Sequence, residues 1–475
     1  MPFDTSRRRL VHSLMLVPTL GLPIAGNAQP ATPFNEADLA HAALLRDSAL
    51  RGPNLAHELM ASLVTQVGAR PAGSANDAKA VQWALDQLRR LGFANVRAEP
   101  VPLVVWQRGE TRAAVIAPHP RELVVTGLGN TVSTPGDGIE ADVAYYRDFD
   151  ALRNDSSDGA RGRIVFIDQK TERTRDGSGY GRAILSRIAG AVEASRRGAV
   201  AVAIRSLGTD SDRIAHTGAM RYDPQVAAIP AVAVSVPDAD WIAERVLGRA
   251  GQLRMRLSMA RTARAEATSH NVIAEVPGTD LAGEVVLMGA HLDSWDITPG
   301  AQDDASGVGI VTAAAKAVLD GGRRPRRTIR VVLFANEENG FDGANAYAAK
   351  YKEVPHQLVG ESDFGADRIW RVRSRVADGA RGSIAAMAKL LEPLGIAAES
   401  TPGSPGPDAA VLMRANGWPA IDLTQDGTRY FDVHHTVNDT VDRIDAGTMP
   451  QNVAAWAVVA WLAAQAEAKF GPAPR

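Results

Sequence analysis

Residues 285–310, VVLMGAHLDSWDITPGAQDDASGVGI, constrain this chain more than any other stretch. Val285 to Met288 is a short apolar run that ends in Gly289 and Ala290. The polar cluster His291, Asp293, Asp296, Asp303 and Asp304 follows. After Ser306-Gly307, an Ala/Val-rich segment of small residues runs to Leu319 and stops at Gly321-Gly322. That order predicts strand, loop and helix, with the ionisable groups gathered at the strand's carboxyl end and the helix's start. Open α/β sheets place their ligands at that edge. One histidine with several carboxylates is a nitrogen and oxygen donor set suited to divalent zinc. A solvated acidic loop with a capping Asp fits this stretch equally well, so the rest of the chain has to decide.

The same layout recurs downstream. A buried strand at Thr328–Ala335 delivers Asn336-Glu337-Glu338-Asn339-Gly340, and a short strand at Gln357–Val359 delivers Glu361-Ser362-Asp363-Phe364-Gly365. A strand at Pro419–Leu423 leads to Tyr430 and then His434-His435-Thr436. Helices are expected to about Tyr351, over 380–394, from Asp408 to Asn416, and from Pro450, a favoured first-turn residue, with Val453, Trp456, Val459 and Leu462 on its apolar face. This alternation predicts an α/β fold with a largely parallel sheet covered on both faces. Upstream, periodicity predicts helices over 53–66 and 75–92 and strands at Val96–Val105 and Thr111–Ile116. His57-Glu58 is not half of a helical H-E-x-x-H zinc pair, because position 61 is Ala.

Residues 119–248 have another texture. Gly, Pro and Asp are frequent, short β runs stand at Ile164–Ile167, Val200–Ile204 and Ala231–Val236, and one helix is expected around Ala183–Arg196. No paired catalytic groups occur there, and His216 reads as structural or rim-lining. The block is expected to be a small inserted domain, with Leu253–Met259 and Asn271–Val276 leading back to the centre.

Composition removes several classes of function. The chain of 475 residues has no cysteine, which excludes disulfides, thiolate metal sites and Cys nucleophiles. No G-x-S-x-G is present for a serine nucleophile. A formal charge of −2 offers no basic footprint for nucleic acid. Arg7-Arg8-Arg9, the apolar stretch Leu10 to Ala25 and Gly26-Asn27-Ala28 have the layout of an export leader cleaved after Ala28, with a twin-arginine flavour. Export to the periplasm or medium is therefore expected. The longest later apolar run, Val453 to Ala464, is too short to span a bilayer.

Two histidines and three or four carboxylates at successive strand ends suit two zinc ions sharing a carboxylate. GAHLDSWD…GAQDDASG, NEENG, ESDFG and HTVNDT, in that order, resemble the motifs of the M28 family of co-catalytic zinc aminopeptidases and carboxypeptidases. The S-W-D extension and the inserted block resemble its carboxypeptidase Q branch, over roughly residues 40–465. The resemblance implies a zinc exopeptidase fold, a mostly parallel mixed sheet flanked by helices on both faces. Its catalytic domain would comprise 29–118 and 249–475, interrupted at 119–248 by a protease-associated-like domain. It further implies that His291, Asp303 and Asp363 hold one zinc and that Asp303, Glu338 and His435 hold the other, with Asp303 bridging. Glu337 becomes the general base, and Asp293 the group that orients His291. The pattern H-T-x-x-D-T selects His435, although His434 beside it keeps the reverse choice open. Asp304, Asp296 and Glu361 are left as helix cap, loop hydrogen bonding and solvated surface. Tyr430 lines the pocket or steadies an oxyanion, or is a packed aromatic. The implied activity is hydrolysis of dipeptides or short peptides through a metal-bridging hydroxide, in a protein that the resemblance suggests is a homodimer. A single-zinc glutaminyl-cyclase-like transferase on the same fold is the competing enzyme. A non-catalytic receptor-like relative is disfavoured by the intact donor set.

Overall fold

The computed structural model describes residues 33–248 and 252–473; the leader expected at 1–28 lies outside the described residues. Two eight-stranded sheets organise the chain. In the first the order is Ala94–Gln107, Ala263–Val276, Arg327–Phe334, Leu281–His291, His356–Glu361, Ala420–Gln425, Ile369–Arg375 and Ala397–Ala398. The middle of this sheet, from 327–334 to 420–425, is parallel, and antiparallel pairs flank it. The fold is thus mixed α/β, as expected.

Every residue of Arg327–Phe334 and of His356–Glu361 is buried, because helices cover both faces of the parallel centre. Alternation along the strands sorts the two cores. Val286, Met288, Val331 and Leu333 pack with the helices Leu55–Gln66, Ser306–Asp320 and Met449–Gln465. Val285, Leu287, Val332 and Phe334 face the helices Asp342–Lys350 and Pro407–Asn416 on the other side. Met449–Gln465 is buried nearly all round, so its continuous apolar run reflects a core position. Among the described residues no helix is long and apolar enough to cross a membrane.

The second sheet is built from strands lying between residues 111 and 259, in the order Arg121–Leu123, Thr111–Ala117, Arg254–Met259, Ile139–Tyr146, Ile164–Ile167, Ala201–Arg205, Ala231–Val234, Val125–Gly127. Thr111–Ala117 and Arg254–Met259 pair with each other here, although both lie outside 119–248. A short β run carries no local mark of the sheet it will join, since its partner is distant in sequence. The single helix expected around Ala183–Arg196 is three short ones, Ser178–Ala183, Leu185–Ile188 and Gly190–Arg196. They and the 209–220 segment carry residues that meet the carboxyl-end loops of the first sheet.

Candidate active site

Each donor group reaches the site from a strand end held by a specific contact. The strand Leu281–His291 ends on His291 itself. After Arg327–Phe334, the Asn271 side chain accepts from Ala335 N at 3.0 Å and donates to the Gly343 carbonyl at 2.8 Å. A Cβ on Gly343 would lie 2.3 Å from Asn271 Oδ1, so only glycine lets that helix start seat against the strand end. Asn336 takes the left-handed conformation at φ 60°, which asparagine tolerates, and the turn presents Glu337 and Glu338. Asp363 follows His356–Glu361, where Ser362 N donates to the Gly289 carbonyl at 3.0 Å.

Gly300, at φ 61°, opens a wide turn over Ala301–Ala305 that carries Asp303 and Asp304 into the helix Ser306–Asp320; the Asp303–Asp304 peptide is cis. The Asp439 carboxylate accepts from Gln302 N at 2.6 Å and Asp303 N at 3.1 Å. Asp304 accepts from His291 N at 3.1 Å and Gly307 N at 3.0 Å, so it caps the helix and ties it to the strand. Arg70, fully buried, donates to the carbonyls of Leu292 at 2.6 Å, Gly300 at 3.2 Å and Pro299, which pins the intervening loop.

The five donor groups converge in two sets joined at Asp303. His291 Nε2 lies 2.9 Å from Asp303 Oδ1 and 3.6 Å from Asp363 Oδ1. Its Nδ1 faces Asp293, with the backbone carbonyl at 3.1 Å and the carboxylate at 3.7 Å. On the other side Asp303 Oδ2 lies 3.2 Å from His435 Nε2, which is 3.0 Å from Glu338 Oε2. His434 stacks on His435 with ring centres 3.6 Å apart and places its own Nε2 3.4 Å from Asp303 Oδ2. His435 alone contacts both Asp303 and Glu338, and its Nδ1 faces the Thr217 carbonyl at 3.2 Å. Glu337 N donates to Asp293 Oδ1 at 3.1 Å, so the glutamate pair and the His291 loop share one anchor.

Burial dominates the electrostatics. It opposes the charged imidazolium of His291, yet Asp363, Asp293 and Asp303 hold that group well above its ordinary range. Burial pushes Glu338 up to about 7, with His435 pulling the other way, and it raises Asp363 and Glu337 as well. His435 is held at about 9 against burial by Glu338 and Asp303. Asp303 is kept well below the carboxylate range against burial by the hydrogen bond from His291 and by the His435 imidazole beside it. Asp303 Oδ2, Glu338 Oε1 and Asp363 Oδ1 are buried without an aligned hydrogen-bond partner. Buried anions of this kind call for a cation. Among the described residues three groups have donor atoms within 4.8 Å of one another: Asp303 with His434 and His435, His291 with Asp303 and Glu338, and His291 with Asp304 and Asp363. Imidazole and carboxylate donors at such spacing fit zinc.

The cluster opens on a cavity of about 690 Å³ whose walls include Glu337, Tyr430 and Phe364 from the first sheet's loops and Tyr180, Arg187 and Met220 from the second layer. Tyr430 packs on Phe364, Phe431 and His434 and also faces this cavity; its hydroxyl makes no hydrogen bond to a described residue. Asp296 pairs with Arg108 at 2.8 Å, away from the donors. His216 is buried, bonded to Asp210 at 2.7 Å and the His434 carbonyl at 2.8 Å, so it braces the histidine loop. Glu361 departs from expectation. It is buried, not on a solvated surface, because the last residue of its strand sits under the helix Pro407–Asn416, where it accepts from Ala409 N at 3.0 Å. Arg70, Thr217 and Arg187 were not marked by any sequence motif, because their roles exist only through contacts distant in the chain; Asp439 stands inside the H-T-x-x-D-T pattern, but nothing local showed that it holds the Gln302–Asp303 backbone.

The sequence profile of Peptidase family M28 matches residues 271–460. Carboxypeptidase Q of Bos taurus is 34% identical over 96% of this chain and 97% of its own length. The solved structure of a Peptidase M28 precursor from Shewanella amazonensis superposes with a TM-score of 0.89 at 46% identity, covering 92% of this chain and 99% of that one. The zinc aminopeptidase BSAP of Bacillus subtilis shares the fold at a TM-score of 0.60 and 17% identity, over 88% of this chain and 97% of that one.

Proposed function

Because this chain belongs to peptidase family M28 and is a metallopeptidase, a zinc exopeptidase, we propose that it holds two zinc ions and hydrolyses dipeptides or short peptides. The observation that carries this reading is Asp303, which turns one carboxylate oxygen to His291 and the other to the His435–Glu338 pair. His291, Asp303 and Asp363 would hold one ion; Asp303, Glu338 and His435 the other. Bound zinc lowers the pKa of water and polarises the scissile carbonyl.

The remaining work falls to side chains. Glu337 faces the cavity beside the donors. In this reading it accepts the attacking water's proton and returns it to the leaving amine. Asp293 fixes the Glu337 backbone and faces His291 Nδ1, so one residue orients both base and ligand. Tyr430 offers, for the oxyanion of the tetrahedral intermediate, a hydroxyl with no hydrogen-bond partner among the described residues. The block 119–248, as a protease-associated-like inserted domain, walls the crevice and limits cleavage to short peptides. Export after removal of residues 1–28 and assembly as a homodimer complete the proposal.

Profiling the purified, zinc-loaded protein on dipeptides, longer peptides, and N-blocked and C-amidated variants tests it. Cleavage confined to short peptides is expected. Cyclisation of amino-terminal glutamine without peptide cleavage would instead establish the single-zinc transferase.

A further inference from the structure

We propose that Arg187 is the anchor for the free terminal carboxylate of the peptide, so that the site reads the substrate's C-terminal end; this rests on the peptidase reading above. Arg187 enters the cavity from the short helix Leu185–Ile188 of the second layer and is 7% exposed. The other buried arginines have their charge answered. Arg205 pairs with Asp168 at 2.6 Å, Arg327 with Glu284 at 2.6 Å, Arg330 with Glu275 at 2.8 Å and Arg371 with Glu399 at 3.2 Å. Arg70 spends its donors on three carbonyls.

Arg187 has no carboxylate within ion-pair distance among the described residues. Its Nη1 reaches only the Thr217 carbonyl, at 3.5 Å, and the edge of His435 Nδ1, at 3.4 Å, while Nε is buried with no partner. If His435 Nδ1 donates to Thr217 at 3.2 Å, that nitrogen cannot also accept from Arg187. A buried guanidinium left this way is costly unless an anion completes it.

The surroundings are shaped for that group. The Tyr180 ring lies over it with 5.5 Å from guanidinium carbon to ring centre. On the other side Gly218, at φ 139°, leaves room for it, since a Cβ there would stand 2.1 Å from Nη1. A guanidinium fork matches a carboxylate bidentately. Arg187 Nη1 lies at the Nδ1 edge of the His435 ring, and Glu338 and Asp303 lie at its Nε2 edge. One residue beyond a scissile carbonyl adds about 3.5 Å of extended chain, and a charged hydrogen bond about 2.8 Å more. A peptide with its scissile carbonyl at the donors and one residue beyond would set its carboxylate on Arg187.

The test compares kcat/KM for a dipeptide and its C-terminal amide in the zinc-loaded native enzyme, Arg187→Met and Arg187→Lys, with zinc content and thermal melting measured alongside. The native enzyme should prefer the free acid by roughly a hundredfold, the scale of a charged hydrogen bond. Arg187→Met should bring that ratio to within about threefold of unity, the hundredfold preference being lost with its charged hydrogen bond, with zinc content unchanged. Its substrate-free melting temperature should not fall, because an unpaired charge is removed; Arg187→Lys should fall between. Inhibition of the native enzyme by a free amino acid, but not by its amide, gives the same reading even if a variant fails to fold. Equal cleavage of acid and amide by the native enzyme, an unchanged ratio in Arg187→Met, or equal inhibition by acid and amide would overturn the assignment and leave the peptidase reading standing. A zinc-loaded native enzyme inert on every peptide would overturn the peptidase reading and this one together.

Discussion

Replacing Glu337 by Gln should separate catalysis from metal binding, and the geometry sets the size of the effect. The main chain at 337 is held by its N–H on Asp293 Oδ1, which the substitution leaves intact, and the side chain makes no hydrogen bond to a described residue. Fold and zinc content should therefore be preserved. The lost function is proton acceptance, which typically contributes about 10²–10⁴ in rate, or about 2.7–5.4 kcal/mol on the barrier. Glu338→Gln should behave oppositely. It removes the charge on an oxygen 3.0 Å from His435 Nε2 and neutralises a second, buried oxygen with no hydrogen-bond partner among the described residues. Zinc content should drop toward one per chain, and excess zinc should restore part of the activity. The assay is kcat/KM on one dipeptide across a zinc titration, with elemental analysis after gel filtration. A Glu337 variant that is zinc-poor and zinc-rescuable would reverse the two roles. Full activity in both variants would refute the dinuclear reading.

Chelation should abolish activity, zinc should restore it, and the restored enzyme should contain two ions per chain; full activity with one tightly held ion would favour the cyclase reading. His356 stacks on Trp418 with ring centres 3.6 Å apart, and burial pushes its imidazole down to about 3. The folded protein then binds fewer protons than the unfolded chain, so this contribution to stability is complete above about pH 6.5 and is lost as pH falls toward 3, by up to about 1.4 kcal/mol per pH unit. Urea unfolding at pH 7.5 and 5 should show that loss, and His356→Gln should flatten it. Gly343→Ala should destabilise by about 1–3 kcal/mol through overpacking against Asn271 and Ala335, and activity should fall with it as the Glu337 turn shifts; a variant with native stability and rate would contradict that role. Trp461, fully buried with Nε1 donating to the Asp38 carbonyl at 3.1 Å, should cost about 3–5 kcal/mol on replacement by Ala in chemical unfolding.

Where burial leaves a periodic trace, the chain was legible. The parallel centre of the first sheet reads as apolar runs because both of its faces are covered, and polar residues cluster just past each run because the loops lie at one edge. The strand Ile369–Arg375 left no such trace. Arg371 and Arg373 are balanced by Glu399 and Asp422 from other elements, which gives a half-buried strand the look of a charged surface. The helix Glu36–Arg51 was equally silent, since Asp38 and His41 stand on its buried face. At the site, donor groups lie beside tell-tale glycines and short polar runs, whereas the groups that hold them do not. Arg70 acts on carbonyls more than two hundred residues away, and Thr217 on a histidine 218 positions later. No local pattern encodes a partner at that separation.

The loop 429–436 is gripped from the second layer: Thr209 N donates to the Phe431 carbonyl at 3.0 Å, Thr217 N to the His435 carbonyl at 3.0 Å, and Arg173 pairs with Asp432 at 2.6 Å. His435 itself sits at φ 61°, which a non-glycine residue adopts only when its surroundings dictate it. This grip makes the order of synthesis matter. The wall emerges from the ribosome long before the histidine it must position, and His291 waits 144 residues for its counterpart. On the proposed ligand set, the site would be complete only once nearly the whole chain has been made. A ribosome that stalls before residue 435 releases a chain that lacks His435 and, beyond it, the buried helix Met449–Gln465 that covers one face of the first sheet.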